Sequence, residues 1–402
     1  MTAKNIVLGV CGGIAAYKSV ELLRLLKKQG ASVRVIMTQN ARAFVGPLTF
    51  EALSGQAVCT GLFEKGEDAS IRHIDWAQAS DAVVIAPATA NIIGKLAGGI
   101  ADDALSTFIL AVISPVIICP SMNIHMYESK AVQRNLEILR ADGYSILNPE
   151  SGELACGTTG PGRLPEPEVI MDRLLYCLAP KDLIGKQVIV TAGPTQEPID
   201  PVRFISNPSS GKMGYAIARA AAQRGGTVTL ITGPTNLPDP TGVTMMRVRT
   251  AREMAKAVFD QIDESHIIIK TAAVSDFRPH KEASQKIKKE EDEMTLLLKK
   301  NPDILKEVGR RKKNDHILVG FAAETEDLGK NAGKKLAEKN LEIIVGNLVD
   351  HPQYGFGSDF NKVTFFYKDG TKEPLAPMEK DAVAHILLDR IVERYLEASN
   401  TL

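Results

Sequence analysis

The 402-residue chain is long enough for two or three domains. Its 48 Lys plus Arg balance 48 Asp plus Glu, and 5% aromatic residues with a single Trp leave little for stacking on single-stranded nucleic acid, so neither a polyanionic nor a nucleic-acid partner is expected. A 44% hydrophobic, 24% charged composition excludes general disorder.

The N-terminus runs straight into an apolar strand pattern, IVLGV (6–10), without the basic region, apolar segment and cleavage site of a leader. CGGIAAYK follows, then the helical pattern SVELLRLLKKQG and a second strand, SVRVIMT. This is the opening of a doubly wound α/β unit. Gly12 and Gly13 let the backbone approach a phosphate at the start of the next helix. GxGxxG is missing, and the second strand ends in Met37 and Thr38 without an acidic residue for a ribose, so a mononucleotide is favoured over NAD. A tight turn with no ligand is the alternative.

AVVIAPAT (82–89) is the next core strand; Thr89 stands at its C-terminal end and Asn91 can cap the following helix. ALSTFILAVISPVIICP (104–120) is apolar enough to resemble a membrane span, but Ser114 and Pro115 interrupt it; a buried helix followed by a buried strand is expected, and no membrane partner. Asn123, in PSMNIHMY, can donate and accept, which suits an amide or carboxylate, or can simply cap a turn. His73 lies in IRHIDWA, just ahead of the third core strand. The segment 151–168, SGELACGTTGPGRLPEPE, is too long and polar for a simple turn and reads as a flap or functional loop carrying Cys156. The five cysteines, Cys11, Cys59, Cys119, Cys156 and Cys177, are odd in number, widely spaced and lack CxxC; they argue against a disulfide framework or structural zinc and for a reduced, cytosolic protein.

QVIVTAGP (187–194), GKMGYAIARAAAQRGG and TVTLITG repeat the strand, glycine turn, helix and strand of the N-terminus. Two such openings predict two tandem doubly wound, Rossmann-like domains, 1–185 and 186–402. The second continues through TMMRVRT, the helix AREMAKAVFDQI, HIIIKTAAV, a charged stretch, ILVGFAAE, a Lys-rich helix, LEIIVGNLV, the late strand VTFFYKDG and a C-terminal helix.

VCGGIAAYK, HIDWA, APATAN, PSMNIHMY and the ACG loop together resemble the flavin-dependent cysteine decarboxylases, most closely those acting on phosphopantothenoylcysteine. TAGPTQEPIDPVRFISNPSSGKMG, KTAAVSDFRP, KIKK, KNPDIL and GFAAET resemble the phosphopantothenate–cysteine ligases. The resemblance spans nearly the whole chain and is that of the bifunctional bacterial family of coenzyme A biosynthesis. One departure is Ser121 and Tyr127, where the decarboxylases usually carry Ala and Trp.

The resemblance implies a flavodoxin-like FMN domain followed by a ligase domain. An N-acylated cysteine has no electron sink for loss of carbon dioxide; oxidising its CH2–SH to a thioaldehyde supplies one, and FMN takes up and later returns the hydride. By the resemblance Gly12, Gly13, Thr38, Ala86, Thr89 and Asn91 hold FMN. His73 is the base, Asn123 binds the substrate carboxylate, and Cys156 protonates the enethiolate. In the ligase half, 4′-phosphopantothenate is activated by CTP with Mg2+ as an acyl-cytidylate, which L-cysteine then attacks. Asn207 handles the acyl-cytidylate and Lys286 the developing charge. Thr271, Ala272, Asp276, Pro302, Asp303, Ile304, Leu305, Phe321, Lys335 and Lys339 match the CTP site. A homo-oligomer with trimeric decarboxylase and dimeric ligase contacts, such as a dodecamer, is implied as well.

Overall fold

Most apolar runs at strand length become parallel strands buried on both faces, and the glycine-terminated amphipathic runs become helices covering them. The computed structural model describes residues 4–62, 72–153, 157, 159–288, 293–313, 315–324, 328–348, 354–355 and 357–397, with 72–73, 323–324, 328–331 and 348 described as backbone only. The chain divides into two compact units, 1–179 and 180–402.

The first unit runs β1 (Asn5–Val10), α1 (Ala16–Lys28), β2 (Ser32–Met37), α2 (Pro47–Ser54), α3 (Arg72–Ala79), β3 (Ala82–Ala88), α4 (Ala90–Gly98), α5 (Ala104–Leu110), β4 (Val116–Pro120), α6 (Ile124–Glu128), α7 (Lys130–Ala141), β5 (Ser145–Ile146), β6 (Glu150–Glu153), β7 (Thr159–Arg163) and α8 (Pro167–Leu178). Strands β1 to β5 form one parallel sheet in the order β2-β1-β3-β4-β5, the flavodoxin-like order. Side chains alternate between its faces: Ile6, Leu8 and Val10 join a core under α1 and α8, while Val7 joins another with Ile93 of α4 and Phe108 of α5. The apolar stretch 104–120 is a buried helix and a buried strand, as its Ser-Pro break requires. Among the described residues no helix is long and apolar enough to cross a membrane. The polar segment read as a loop contains instead an antiparallel hairpin, β6 with β7.

The second unit runs β8 (Gln187–Ala192), β9 (Gln196–Pro198), β10 (Phe204–Ser206), α9 (Lys212–Gln223), β11 (Thr227–Thr232), β12 (Val243–Arg247), α10 (Ala251–Phe259), β13 (Ile267–Lys270), β14 (Phe277–Pro279), β15 (Leu298–Lys300), α11 (Ile304–Arg311), β16 (Ile317–Glu324), α12 (Leu328–Glu338), β17 (Ile343–Leu348), β18 (Phe360–Asn361), β19 (Val363–Tyr367), β20 (Lys372–Pro374), β21 (Met378–Glu379) and α13 (Lys380–Ile391). The main sheet has the order β12-β11-β8-β13-β16-β17-β19-β20, parallel through β17 and antiparallel beyond. Its strand order reverses between β8 and β13, so a ligand belongs at their C-terminal ends. Helices α9 and α13 cover one face; α10, α11 and α12 cover the other.

Arg224, at the C-terminal end of α9, is 2% exposed. It donates to Asp182 at 2.8 Å, to Asp389 of α13 at 2.6 Å and to the His385 carbonyl at 3.2 Å, tying the start of this unit to its last long helix. Arg224→Ala should lower the unfolding free energy of this unit by about 3 kcal/mol, because a buried ion network is broken from its cationic side and its two carboxylates are only partly able to reach water. Urea denaturation of the variant checks this; an unchanged midpoint contradicts it.

Candidate functional sites

In the first unit the ends of β1, β3 and β4 surround a cavity of about 710 Å³. Gly12, Gly13, Thr89 and Asn123 line it, with Lys18, Ser121 and Arg163. The chain leaves β1 at Val10; Cys11 donates its N–H to the Pro87 carbonyl at 3.2 Å, and Thr38 donates its own to the Val10 carbonyl at 3.0 Å. These bonds bring the turns after β1, β2 and β3 together at the switch point. A Cβ on Gly12 would fall 2.6 Å from the Asn40 Cβ, whereas one on Gly13 would meet only open space. Among the described residues the buried Thr38 hydroxyl has no hydrogen-bond partner. A bare backbone turn at a helix start and an orphaned hydroxyl beside it are what a bound phosphate group uses.

Three of the six positions expected to hold the cofactor, Thr38, Ala86 and Asn91, are not among the residues that line this cavity. Ala86 is fully buried in the core and its carbonyl accepts the Ser19 hydroxyl at 2.6 Å. Asn91 is exposed on α4 and is not its cap: Thr89 takes that place, its hydroxyl accepting the Ile92 N–H at 3.4 Å, because Thr89 is the last extended residue. Asn123 caps α6, its Oδ1 accepting the His125 N–H at 2.9 Å while the residue borders the cavity.

The hairpin closes one side. Gly162 offers its carbonyl to the Met122 N–H at 3.1 Å and to the Ser121 hydroxyl at 3.3 Å. Just beyond it, the nearly buried Lys18 ammonium donates to the Leu164 carbonyl at 3.1 Å and to Glu166 at 2.7 Å. Cys156 belongs to the connection between β6 and β7, and it and the His73 side chain lie outside the described residues. Two other cysteines are unsuited to acid chemistry: burial pushes the Cys11 thiol up to about 12 and the Cys119 thiol higher still.

In the second unit the opening lies at the N-terminus of α9. Gly211 caps this helix with φ +79°, and a Cβ on Gly214 would come within 2.5 Å of both the Ala192 Cβ and the Thr271 Oγ1, so the helix start sits directly on the sheet. Thr271 and Phe321 line the opening together with Lys212, Asn347, Asn361 and Lys380. Asn207 stands on the approach to α9, and its Nδ2 donates to the Ala273 carbonyl at 3.3 Å and the Val274 carbonyl at 3.2 Å. Ala272 follows Thr271 in the same turn, its N–H donating to the Thr191 hydroxyl at 3.3 Å.

The remaining expected positions gather beside this turn. Asn301 donates its N–H to the Asp276 carbonyl at 2.8 Å and its amide to the Ser275 carbonyl at 2.8 Å, which joins the 271–276 turn to the segment beginning at Pro302. Asp303 caps α11 and pairs with Lys339 at 2.9 Å. Burial works to raise the Asp303 pKa, but Lys339 and the capped N–H hold it below the ordinary carboxylate value. Ile304 and Leu305 point into the core, so only their backbone is free to face a ligand. Lys335, half-buried on α12, and the exposed Lys286 do not line the opening. Lys286 precedes Ile287, whose N–H donates to the buried Asp200 carboxylate at 3.2 Å.

Sequence reasoning passed over Lys270, although a lysine closing the run IIIK is itself a signal. Burial pushes its ammonium down to about 8, Lys339 adds to the shift, and Asp303 and Asp276 oppose it. Because the folded pKa lies below the unfolded value, the destabilisation is fully present below pH ~8 and is relieved as pH rises from about 8 toward ~10.4. Lys270→Met should therefore stabilise this unit by about 1–2 kcal/mol at pH 7, a size already discounted for the residue's partial exposure, and by little at pH 10. Denaturant titrations at the two pH values read the difference; an equal effect at both contradicts the assignment.

Two family models match: the flavoprotein family over residues 1–178, and the C-terminal domain of DNA/pantothenate metabolism flavoproteins over 183–395. The chain is 51% identical to the coenzyme A biosynthesis bifunctional protein CoaBC of Bacillus subtilis, with 96% of each chain covered. It is 46% identical to its Escherichia coli counterpart, covering 99% of this chain and 98% of the other. Among solved structures, the C-terminal domain of a coenzyme A biosynthesis bifunctional protein CoaBC aligns with 41% identity and a TM-score of 0.45, over 52% of this chain and 96% of that one.

Proposed function

Because the chain belongs to the bifunctional coenzyme A biosynthesis family, and carries both the phosphopantothenoylcysteine synthetase and the decarboxylase steps, we propose that each compact unit performs one of them: decarboxylation in the first, ligation in the second. The observation that supports this division is that each unit has its own opening at the C-terminal edge of its own parallel sheet.

The flavin of the first unit is FMN. Gly12, Gly13 and Thr38 hold its phosphate end, and Thr89 borders it; Ala86 and Asn91, expected to hold it as well, contribute no side chain to the cavity lining. FMN supplies reversible removal of a hydride, which makes a carbon–sulfur double bond available as an electron sink. His73 removes the proton that accompanies oxidation of the substrate thiol. Asn123 receives the substrate carboxylate with its amide. Cys156, in the connection between β6 and β7, delivers a proton to the enethiolate carbon.

In the second unit CTP is the nucleotide. Mg2+ enters on the nucleotide phosphates, as a small, strongly hydrated cation bound through phosphate oxygens does. The carboxylate of 4′-phosphopantothenate attacks the α-phosphorus of CTP, pyrophosphate leaves, and the amine of L-cysteine displaces cytidine monophosphate. Asn207 orients the acyl-cytidylate and Lys286 neutralises the charge that grows on its phosphate. Thr271, Ala272, Asp276, Phe321 and the segment Pro302 to Leu305 form the walls, with Lys335 and Lys339 adding positive charge.

The chain acts in the cytoplasm as a homo-oligomer. The deciding experiment incubates the whole chain with 4′-phosphopantothenate, L-cysteine, CTP and Mg2+ and follows mass. Formation of 4′-phosphopantetheine with stoichiometric pyrophosphate is expected. Product made equally well with ATP would remove CTP from the proposal, and a chain severed near Leu178 to Lys186 that lost ligation in its C-terminal piece would remove the division of labour.

A further inference from the structure

The opening at the start of α9 carries two lysines that the family resemblance assigns to nothing. Lys212 begins the helix and Lys380 begins α13. Lys380 is 9% exposed and donates its ammonium to the Ser358 carbonyl. Its main-chain N–H donates to the Asp359 carbonyl at 2.9 Å. Lys212 donates to the Gly357 carbonyl at 2.8 Å and pairs at 2.6 Å with Asp359, whose side chain is 77% exposed. The same short stretch, 357–359, therefore holds both ammonium groups toward the opening.

Three sources of positive potential converge there: two ammonium groups and the N-terminal turn of a 12-residue helix whose glycine cap supplies no side-chain acceptor. Asp359, paired with Lys212, is exposed, and no Asp or Glu is among the described residues that line the opening itself. Lys380 uses one of three donors, on a carbonyl, and forms no ion pair among the described residues. Burial depresses its pKa, the charge of Lys212 adds to the shift, and the Asp359 carboxylate opposes it only in part. Burying an ammonium without a counter-ion is costly unless an anion completes the site. Beyond the lysines the wall changes character. Phe321 offers a ring, and the Asn347 carbonyl oxygen is shut off from solvent without a donor. A charged end and an aromatic, amide-bearing end together suit a nucleotide.

We propose that Lys212 and Lys380, with the first turn of α9, form a clamp for the phosphates of the nucleotide in the ligase half. The proposal rests on the reading of the second unit as CTP-dependent. It adds that these two lysines, held ready by 357–359, set the affinity for the nucleotide. On phosphate binding, the lysines exchange a carbonyl or an exposed carboxylate for charged oxygens, which strengthens each hydrogen bond.

The test uses the full-length holoenzyme and steady-state pyrophosphate release with varied CTP or varied 4′-phosphopantothenate. Lys380→Met and Lys212→Gln should each raise the KM for CTP about tenfold or more, with the KM for 4′-phosphopantothenate unchanged. Lys380→Arg should restore most of the affinity. An unchanged KM for CTP in both variants overturns the clamp. So does a rise confined to 4′-phosphopantothenate, which would give the lysines to the other phosphate-bearing substrate. So does a parallel rise in both KM values with a lowered melting temperature, the mark of a structural tether. If Lys380→Met fails to fold, Lys212→Gln decides by the same criteria. Failure of the unaltered protein to release pyrophosphate from CTP sinks the nucleotide reading itself, before any variant is compared.

Discussion

Replacing Cys156 with Ser should leave a chain that releases carbon dioxide from phosphopantothenoylcysteine yet stops short of 4′-phosphopantetheine. The order of the chemistry dictates this. Oxidation of the thiol and loss of carbon dioxide require a base and an electron sink but no proton donor at the carbon. Completion requires a proton on the enethiolate carbon. A thiol with an ordinary pKa near ~8.5 is protonated at neutral pH and still acidic enough to give its proton up; a serine hydroxyl is far weaker. The final step should slow by roughly 10²–10⁴-fold, the span typical of a removed general acid. Two other thiols cannot replace it, since burial keeps Cys11 and Cys119 protonated and out of reach of solvent. The accumulating product should be about two mass units lighter than 4′-phosphopantetheine, having given up two hydrogens. His73→Asn should differ in kind, with no carbon dioxide released. Mass analysis of a single turnover separates the two variants. Normal 4′-phosphopantetheine from Cys156→Ser at the unaltered rate would assign the acid elsewhere and leave the β6–β7 hairpin as a wall of the cavity.

The sheet of each unit was legible in the sequence because parallel strands buried on both faces must be continuous apolar runs, and IVLGV, AVVIAPA and QVIVTA are that. The interruption at Ser114 and Pro115 separated helix from strand for the same local reason. The hairpin of β6 and β7 was not legible: TGPGR has Thr159 as its one β-branched residue, no aromatic, and two glycines and a proline, and its pairing is held from outside by Ser121, Met122 and the bonds of Lys18. The cap of α4 was misplaced by two residues because Thr and Asn are both good caps and only the backbone decides which one is the last extended residue. Glycine turns and the helix starts behind them announced both openings. Lys212 and Lys380, 168 positions apart in number, meet only because β18 pairs with β21 and brings the start of α13 to the start of α9. No local pattern could foretell that.

Asn207→Asp should cost the ligase half about 10²–10³-fold in turnover while leaving the fold in place. The neutral amide now donates to two carbonyl oxygens, those of Ala273 and Val274, at 3.3 and 3.2 Å. These bonds hold the approach to α9 against the turn that carries Thr271 and Ala272. A carboxylate of the same shape has no hydrogen to donate, so an oxygen would face two more oxygens. It would swing away or take up a proton, and either choice loosens the turn. The second penalty is electrostatic. The acyl-cytidylate carries a phosphodiester charge, and a nearby anion raises the cost of forming it and of any further negative charge that develops as cysteine attacks. Asn207→Ala removes the donor without adding charge, so it isolates the first penalty: it should weaken turnover less than the Asp variant does. The gap between the two should shrink at high salt, which screens the added charge where the site is open to solvent. Pyrophosphate release measured without and with cysteine assigns the loss to formation or to consumption of the intermediate. Equal activities for the Asp and Ala variants at every salt concentration would limit Asn207 to holding the turn and take it away from the intermediate.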